Sequence, residues 1–188
     1  MLRSEILNPK SQIALLLQSK ITNHHSKIIR QCIFVSTMYT RQEAAKQRQA
    51  FWTTFGQYMQ PVLSAEGEQI NWINYRTGIA HIQFRMDADQ QQADIGITLS
   101  HPDPQIQRQH YEQLQLQQTM LRQVVNEDWI WEANVSDEQG RIQSRAYTIL
   151  EGVNINRTED WPRIISFLKP RILALDAFWS MAKYAFEN

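Results

Sequence analysis

Residues 78–101, GIAHIQFRMDADQQQADIGITLSH, hold a dense group of side chains that could do chemistry. Asp87, Asp89 and Asp94 stand close together, and clustered carboxylates are the ligands that a hard cation such as Mg²⁺ prefers. With Glu66 or Glu68 they would suit a divergent metal-dependent nuclease of the restriction type. That chemistry also uses a strand Lys to help activate water. Beyond Met38 the Lys residues are Lys46, Lys169 and Lys183, none in a predicted strand, which weakens the nuclease interpretation.

The same segment is also typical of a β-hairpin. Apolar and polar residues alternate over 82–87 and again over 93–100, which predicts two half-buried antiparallel strands. If Asp87 pairs with Gln92, then Arg85 faces Asp94 and His81 faces Thr98. Opposite charges across two strands stabilise a sheet by about 0.2–1 kcal/mol, so a structural role explains Arg85 and Asp94 as well.

A second hairpin is predicted over residues 129–150, with a turn at SDEQG. Pairing Ser136 with Arg141 would place Glu132 opposite Arg145. If the two hairpins join in one sheet, a single polar face carries His81, Arg85, Asp94, Glu132 and Arg145. Such a face is either a recognition surface or a salt-bridged face in contact with solvent.

Three helical patterns separate and flank these hairpins. They cover residues 40–59, residues 104 to about 126 with an N-cap at Asp103, and residues 161 to the C-terminus, where Pro170 should kink or interrupt the helix. Residues 70–75 form a possible extra short strand. The predicted order is helix, hairpin, helix, hairpin, helix. We therefore expect an α+β two-layer sandwich, with a mainly antiparallel sheet of four or five strands and helices on one face.

Composition and charge limit the classes of function. Apolar residues make up 43% of the chain, enough for a substantial core, and no apolar run is long enough to cross a membrane. Residues 1–37 carry five Lys or Arg and one acid, so residues 38–188 are net acidic, which does not favour nucleic acid as a partner. We expect residues 1–37 to be a loosely attached extension and residues 38–188 to be one domain. The single Cys32 fits a cytoplasmic location.

Other catalytic and metal motifs are weak. His81, His101 and His110 lack the spacing of paired zinc ligands, and Cys32 has no base near it in sequence. Neither a P-loop nor a dinucleotide-binding glycine motif is present. No catalytic residue is predicted, and no cofactor is expected unless the nuclease alternative brings Mg²⁺.

Residues 38–187 resemble a bacterial family of domains of unknown function, DUF4268. The likeness rests on HIQFRM followed by ADIGITL, on DWIWE, on SRAY, and on EDWPRIISFLKPRI. In longer relatives such a domain looks like a companion to nuclease-like regions of defence or restriction type. The resemblance implies an accessory role and carries no catalytic signature.

These observations predict a small cytoplasmic accessory or interaction domain, tied to DNA processing or defence and without catalysis of its own. Its expected partner is a protein, with no membrane involved. Two alternatives stay open: a divergent metal-dependent nuclease, and a small-ligand or peptide binder that uses the polar face of the sheet.

Overall fold

A computed structural model describes residues 40–137 and 139–186, and the chain divides into two units between Lys46 and Gln47. The extension predicted at residues 1–37 lies outside the described residues. Helix α1 covers residues 40–59. The elements that follow are β1 (Ile82–Ala88), β2 (Gln92–Leu99), α2 (Pro104–Leu116), α3 (Gln118–Val125), β3 (Ile130–Ser136), β4 (Ile142–Glu151) and α4 (Trp161–Ala182), with short 3₁₀ turns on either side of α4.

The four strands form one antiparallel sheet in the order β1-β2-β4-β3, which confirms the α+β class. Ala93, Ile95 and Ile97 of β2 are fully buried on one face of this sheet. Helices α2 and α4 both contact the sheet, and Gln107 of α2 bonds the inward Ser144 of β4. Alternate residues on the strands therefore face the helices, while the others form a polar outer face.

The first hairpin forms with a different register from the one predicted. Asp87 lies opposite Asp94, Arg85 opposite Gly96, and Gln83 opposite Thr98. The turn lies one residue later than predicted, at residues 89–92, where the Asp89 carboxylate accepts the backbone N–H groups of Gln91 and Gln92. Because side chains alternate with a period of two, this shift of two residues keeps each residue on its predicted face and changes only its partner.

The second hairpin confirms the pairing of Glu132 with Arg145 but not the pairing near its turn. Ser136 lies opposite Ile142 and Val135 opposite Gln143, because a bulge follows Glu132. Asn134 adopts a left-handed backbone conformation in this bulge, with φ of 55°. The bulge reverses the alternation, so Val135 joins the polar face that Glu132 occupies.

Two predictions about local structure were wrong, and a third was wrong in part. Residues 70–75 form turns, in which the Asn71 side chain accepts the N–H groups of Ile73 and Asn74. The helix predicted over residues 104–126 is broken at Gln117 into α2 and α3. Of the two outcomes predicted at Pro170, interruption of the helix is the wrong one: α4 continues through Pro170, because buried residues on both sides, Leu168 and Ile172 among them, hold it against the core despite the lost hydrogen bond.

The Asp103 N-cap of α2 is confirmed, since its carboxylate accepts the N–H of Gln105 at 2.8 Å. Among the described residues, no helix has both the length and the hydrophobicity of a membrane-spanning segment. The cytoplasmic location stays a prediction.

Gly96, in the middle of β2, is a position that accepts no side chain. A Cβ atom there would lie 2.5 Å from both the Ala146 carbonyl oxygen and Tyr147 Cβ on the neighbouring strand. We expect Gly96→Ala to lower the free energy of unfolding by about 1–3 kcal/mol through overpacking, measured by urea denaturation.

Gly56→Ala in α1 is the matched control. Its Cβ would meet only the flexible end of the Ile73 side chain, at 2.8 Å. The gain in helix propensity, up to about 1 kcal/mol, should offset that contact and leave stability nearly unchanged or higher. Equal losses in the two variants would contradict the close approach of β2 and β4.

Candidate functional site, a groove on the outer face of the sheet

The outer face of the sheet contains a polar groove of about 410 Å³. Four of the five residues predicted to share a recognition face line it: Arg85, Asp94, Glu132 and Arg145. They come from all four strands, because the β1-β2-β4-β3 order places the two hairpins side by side. Asp87 and Asp89, proposed as alternative metal ligands, also line the groove.

His81 does not belong to this groove. It precedes β1 with a left-handed backbone, φ of 65°, and its ring packs edge-on against His101 with 4.6 Å between centroids. The His110 ring lies 6.1 Å from His101, so the fold gathers three histidines that are dispersed in sequence. Burial, followed by the charges of His101 and His81, lowers the pKa of His110. Among the described residues, no group of three His, Cys, Asp or Glu side chains is placed to hold a metal ion.

One wall of the groove is a fixed network around Arg145. Its Nε donates to Glu132 Oε2 at 2.8 Å, and its guanidinium stacks on the Tyr147 ring at 4.0 Å from the centroid. Tyr147 in turn packs beside Gly96, which leaves room for it by having no side chain. Glu132 and Arg145 therefore compensate each other's charge, and their main role is to form this wall of the groove.

The charges at the opposite end are arranged differently. Arg48 of α1 donates to both the Asp87 carboxylate and the Ala88 carbonyl oxygen. Arg85 is half exposed and lies 3.9 Å from Asp87, a loose ion pair. Asp87 and Asp94 face each other across β1 and β2, an arrangement of like charges that destabilises a sheet unless something compensates for it.

Asp94 is the carboxylate of the groove that lacks a partner. Within the described residues, no hydrogen bond or ion pair reaches its side chain. Burial, followed by the negative charge of Asp87, raises the pKa of Asp94 above 3.8, and Arg145 and Arg85 oppose this less strongly. A half-buried, unpaired carboxylate in a concave polar site is a common feature of binding and catalytic sites.

Tyr147 and Gly96 are among the residues of this site that were not predicted from the sequence. Tyr147 stands two residues after Arg145, so the period of the strand places both on one face, and that spacing could have found it. The role of Gly96 could not be found in this way, because it depends on which residue of β4 lies beside it.

Replacing Asp94 by Asn should raise the free energy of unfolding near neutral pH. The folded state disfavours the ionised form, so the pKa of Asp94 is higher when folded than when unfolded. As the pH falls through the folded pKa, protonation of Asp94 removes the cost of its buried charge. The wild type should therefore become more stable relative to the Asn variant, which has no such charge to lose. The stability difference should shrink toward about pH 4, measured by denaturation over a pH series. A difference that grows on acidification would contradict the raised pKa.

Comparison with known proteins gives one match. The family model for a domain of unknown function, DUF4268, matches residues 47–183, which is most of the chain. A search of curated proteins gave no significant match. A search of solved structures gave none either. The match covers every strand of the sheet and nearly all of the helices that pack on it, and so the chain belongs to the DUF4268 family.

Proposed function

We propose that this chain is an interaction domain that binds a partner protein in the groove on the outer face of its sheet, without catalysing a reaction. The groove would take a Lys or Arg side chain of the partner, with Asp94 as its anchor. The tie to DNA processing or defence, and the cytoplasmic location, belong to this proposal and rest on the sequence alone.

The main support for the proposal is the unpaired carboxylate of Asp94. Nearby acids are matched: Glu132 bonds Arg145, Asp137 bonds Arg141 at 2.8 Å, and Asp87 bonds Arg48. Asp94 is left without a hydrogen bond or ion pair within the described residues, in a position where burial disfavours its charge. A bound ammonium or guanidinium group would compensate that charge and supply the missing donors.

The lining favours a basic side chain over a phosphate backbone. Five carboxylates and two guanidinium groups line the groove, Asp87, Asp89, Asp94, Glu132 and Asp137 against Arg85 and Arg145. Proteins bind nucleic acid by neutralising phosphates with Lys and Arg, so a groove with this balance repels such a ligand. A protein segment with a basic side chain has the complementary charge.

The nuclease alternative gains no support from the atoms of its proposed ligands. One oxygen of Asp87 already accepts Arg48 and the Ala88 N–H, and one oxygen of Asp89 accepts two backbone N–H groups of the turn. A metal ion bound at these oxygens would disrupt the hydrogen bonds that they already accept. The outer groove is therefore better suited to recognition than to metal-assisted hydrolysis.

The proposal can be tested with short labelled peptides. A Gly/Ser peptide of about nine residues would carry Arg, Lys, Gln or Glu at its centre, and binding would be measured by fluorescence polarisation. We expect the Arg and Lys peptides to bind and the Gln and Glu peptides to bind more weakly by about tenfold or more, because only the former pair with Asp94.

Asp94→Asn should remove the preference for Arg and Lys. Glu112→Gln, on the exposed side of α2, makes the same change of charge away from the groove and should preserve it. Equal binding of all four peptides, absence of binding by the Arg and Lys peptides, or equal effects of the two substitutions would overturn the proposal.

A further inference from the structure

A second cavity lies away from the outer groove, between the α1–β1 connection and the C-terminal half of α4. Its volume is about 600 Å³, within the range of small-molecule sites. Polar and aromatic side chains line it, among them Glu68, Tyr75, Arg76, Asp176, Trp179 and Lys183. Nothing in the proposed function of the outer groove uses these residues.

Asp176 is the most unusual residue of this cavity, since it is an acid on a buried face of α4 with only 5% of its surface exposed. Its Oδ1 accepts the Tyr75 hydroxyl at 2.7 Å, and its Oδ2 accepts the Ala65 N–H at 2.5 Å. Both donors are neutral, and no ion pair to Asp176 is present within the described residues. A buried carboxylate without a cation is costly, and a neutral amide oxygen could hold one of these donors without that cost.

A carboxylate offers about four lone-pair sites, so Asp176 can accept further hydrogen bonds from a ligand in the cavity. Tyr75 remains a donor, because burial, followed by its hydrogen bond to Asp176, raises the pKa of its phenol. Its ring is also held in place, stacked on Phe84 with centroids 4.6 Å apart.

Trp179 adds a second fixed aromatic side chain to the lining. Its indole N–H donates to the Thr77 carbonyl oxygen at 2.7 Å, and its ring packs edge-on against Phe84. The carboxylate of Asp176 would compensate the charge of an organic cation in this cavity, and the rings of Tyr75 and Trp179 give the site fixed walls. At the rim, Lys183 is paired with Glu66 at 2.7 Å, so its ammonium already has an acidic partner.

We propose that this cavity binds a small molecule that carries an ammonium group, with the ammonium held by the carboxylate of Asp176. The inference is independent of peptide binding in the outer groove, since the two sites share no lining residue.

Three probes of nearly equal shape separate charge from size: tyramine, in which the side chain ends in an ammonium; tyrosol, in which it ends in a hydroxyl; and 4-hydroxyphenylacetate, in which it ends in a carboxylate. Binding to the full chain would be followed by NMR through the indole N–H signal of Trp179. We expect tyramine to bind more tightly than tyrosol by about tenfold or more, and 4-hydroxyphenylacetate to bind most weakly.

Two substitutions test the role of Asp176. Asp176→Asn should remove the preference for tyramine over tyrosol, while Asp94→Asn makes the same change in the outer groove and should preserve it. Tyr75→Phe keeps the ring and frees one acceptor position on Asp176, so it should retain or strengthen tyramine binding. It also serves as the informative variant if Asp176→Asn does not fold.

The proposal fails if none of the three probes binds, if tyramine and tyrosol bind equally, or if 4-hydroxyphenylacetate binds most tightly. It also fails if folded Asp176→Asn binds tyramine as the wild type does, or if Tyr75→Phe loses tyramine binding while remaining folded. Loss of the preference for Arg and Lys peptides in Asp94→Asn, with intact tyramine binding, would separate this site from the outer groove.

Discussion

The close approach of β2 and β4 at Gly96 is the constraint on which the outer face of this protein depends. Gly96 lies opposite Tyr147, and there is no room between the two strands for even one more carbon atom. This contact lets the Tyr147 ring lie against the sheet, where it supports the guanidinium of Arg145. Arg145 can then reach Glu132 on the edge strand, so one glycine connects three strands of the face.

The buried face of the sheet explains why the outer groove can carry so much charge. Ala93, Ile95, Ile97 and Leu99 of β2 are almost completely buried, and α4 supplies a long row of apolar residues to the same core. Because the apolar core is complete on the helix side of the sheet, the outer face does not need apolar residues. It can therefore hold opposed carboxylates and loosely paired arginines. Asp87 and Asp94 could not remain opposite each other in a dry interior, where an uncompensated charge is much more costly.

The two candidate sites use carboxylates in different ways. Asp94 lies on a strand and faces the groove with no bonded donor within the described residues, so its position is set by the sheet alone. Asp176 lies on a helix, deeply buried, and holds the α1–β1 connection through Tyr75 and Ala65. The first could be identified from strand alternation. The second could not, because its partners stand about a hundred residues earlier in the chain.

Local patterns in the sequence were enough to predict the class of the fold, the faces of the strands and four of the charged residues that line the outer groove. Alternation with a period of two is a local property, and it placed Arg85, Asp94, Glu132 and Arg145 on one polar face. The cross-strand partners of these residues depend on the tertiary structure. The turn at Asp89 moved Asp94 from Arg85 to Asp87, the bulge at Asn134 brought Val135 to the groove, and packing kept α4 continuous through Pro170. Register, bulges and burial depend on contacts between distant segments, which a local pattern of residues does not record.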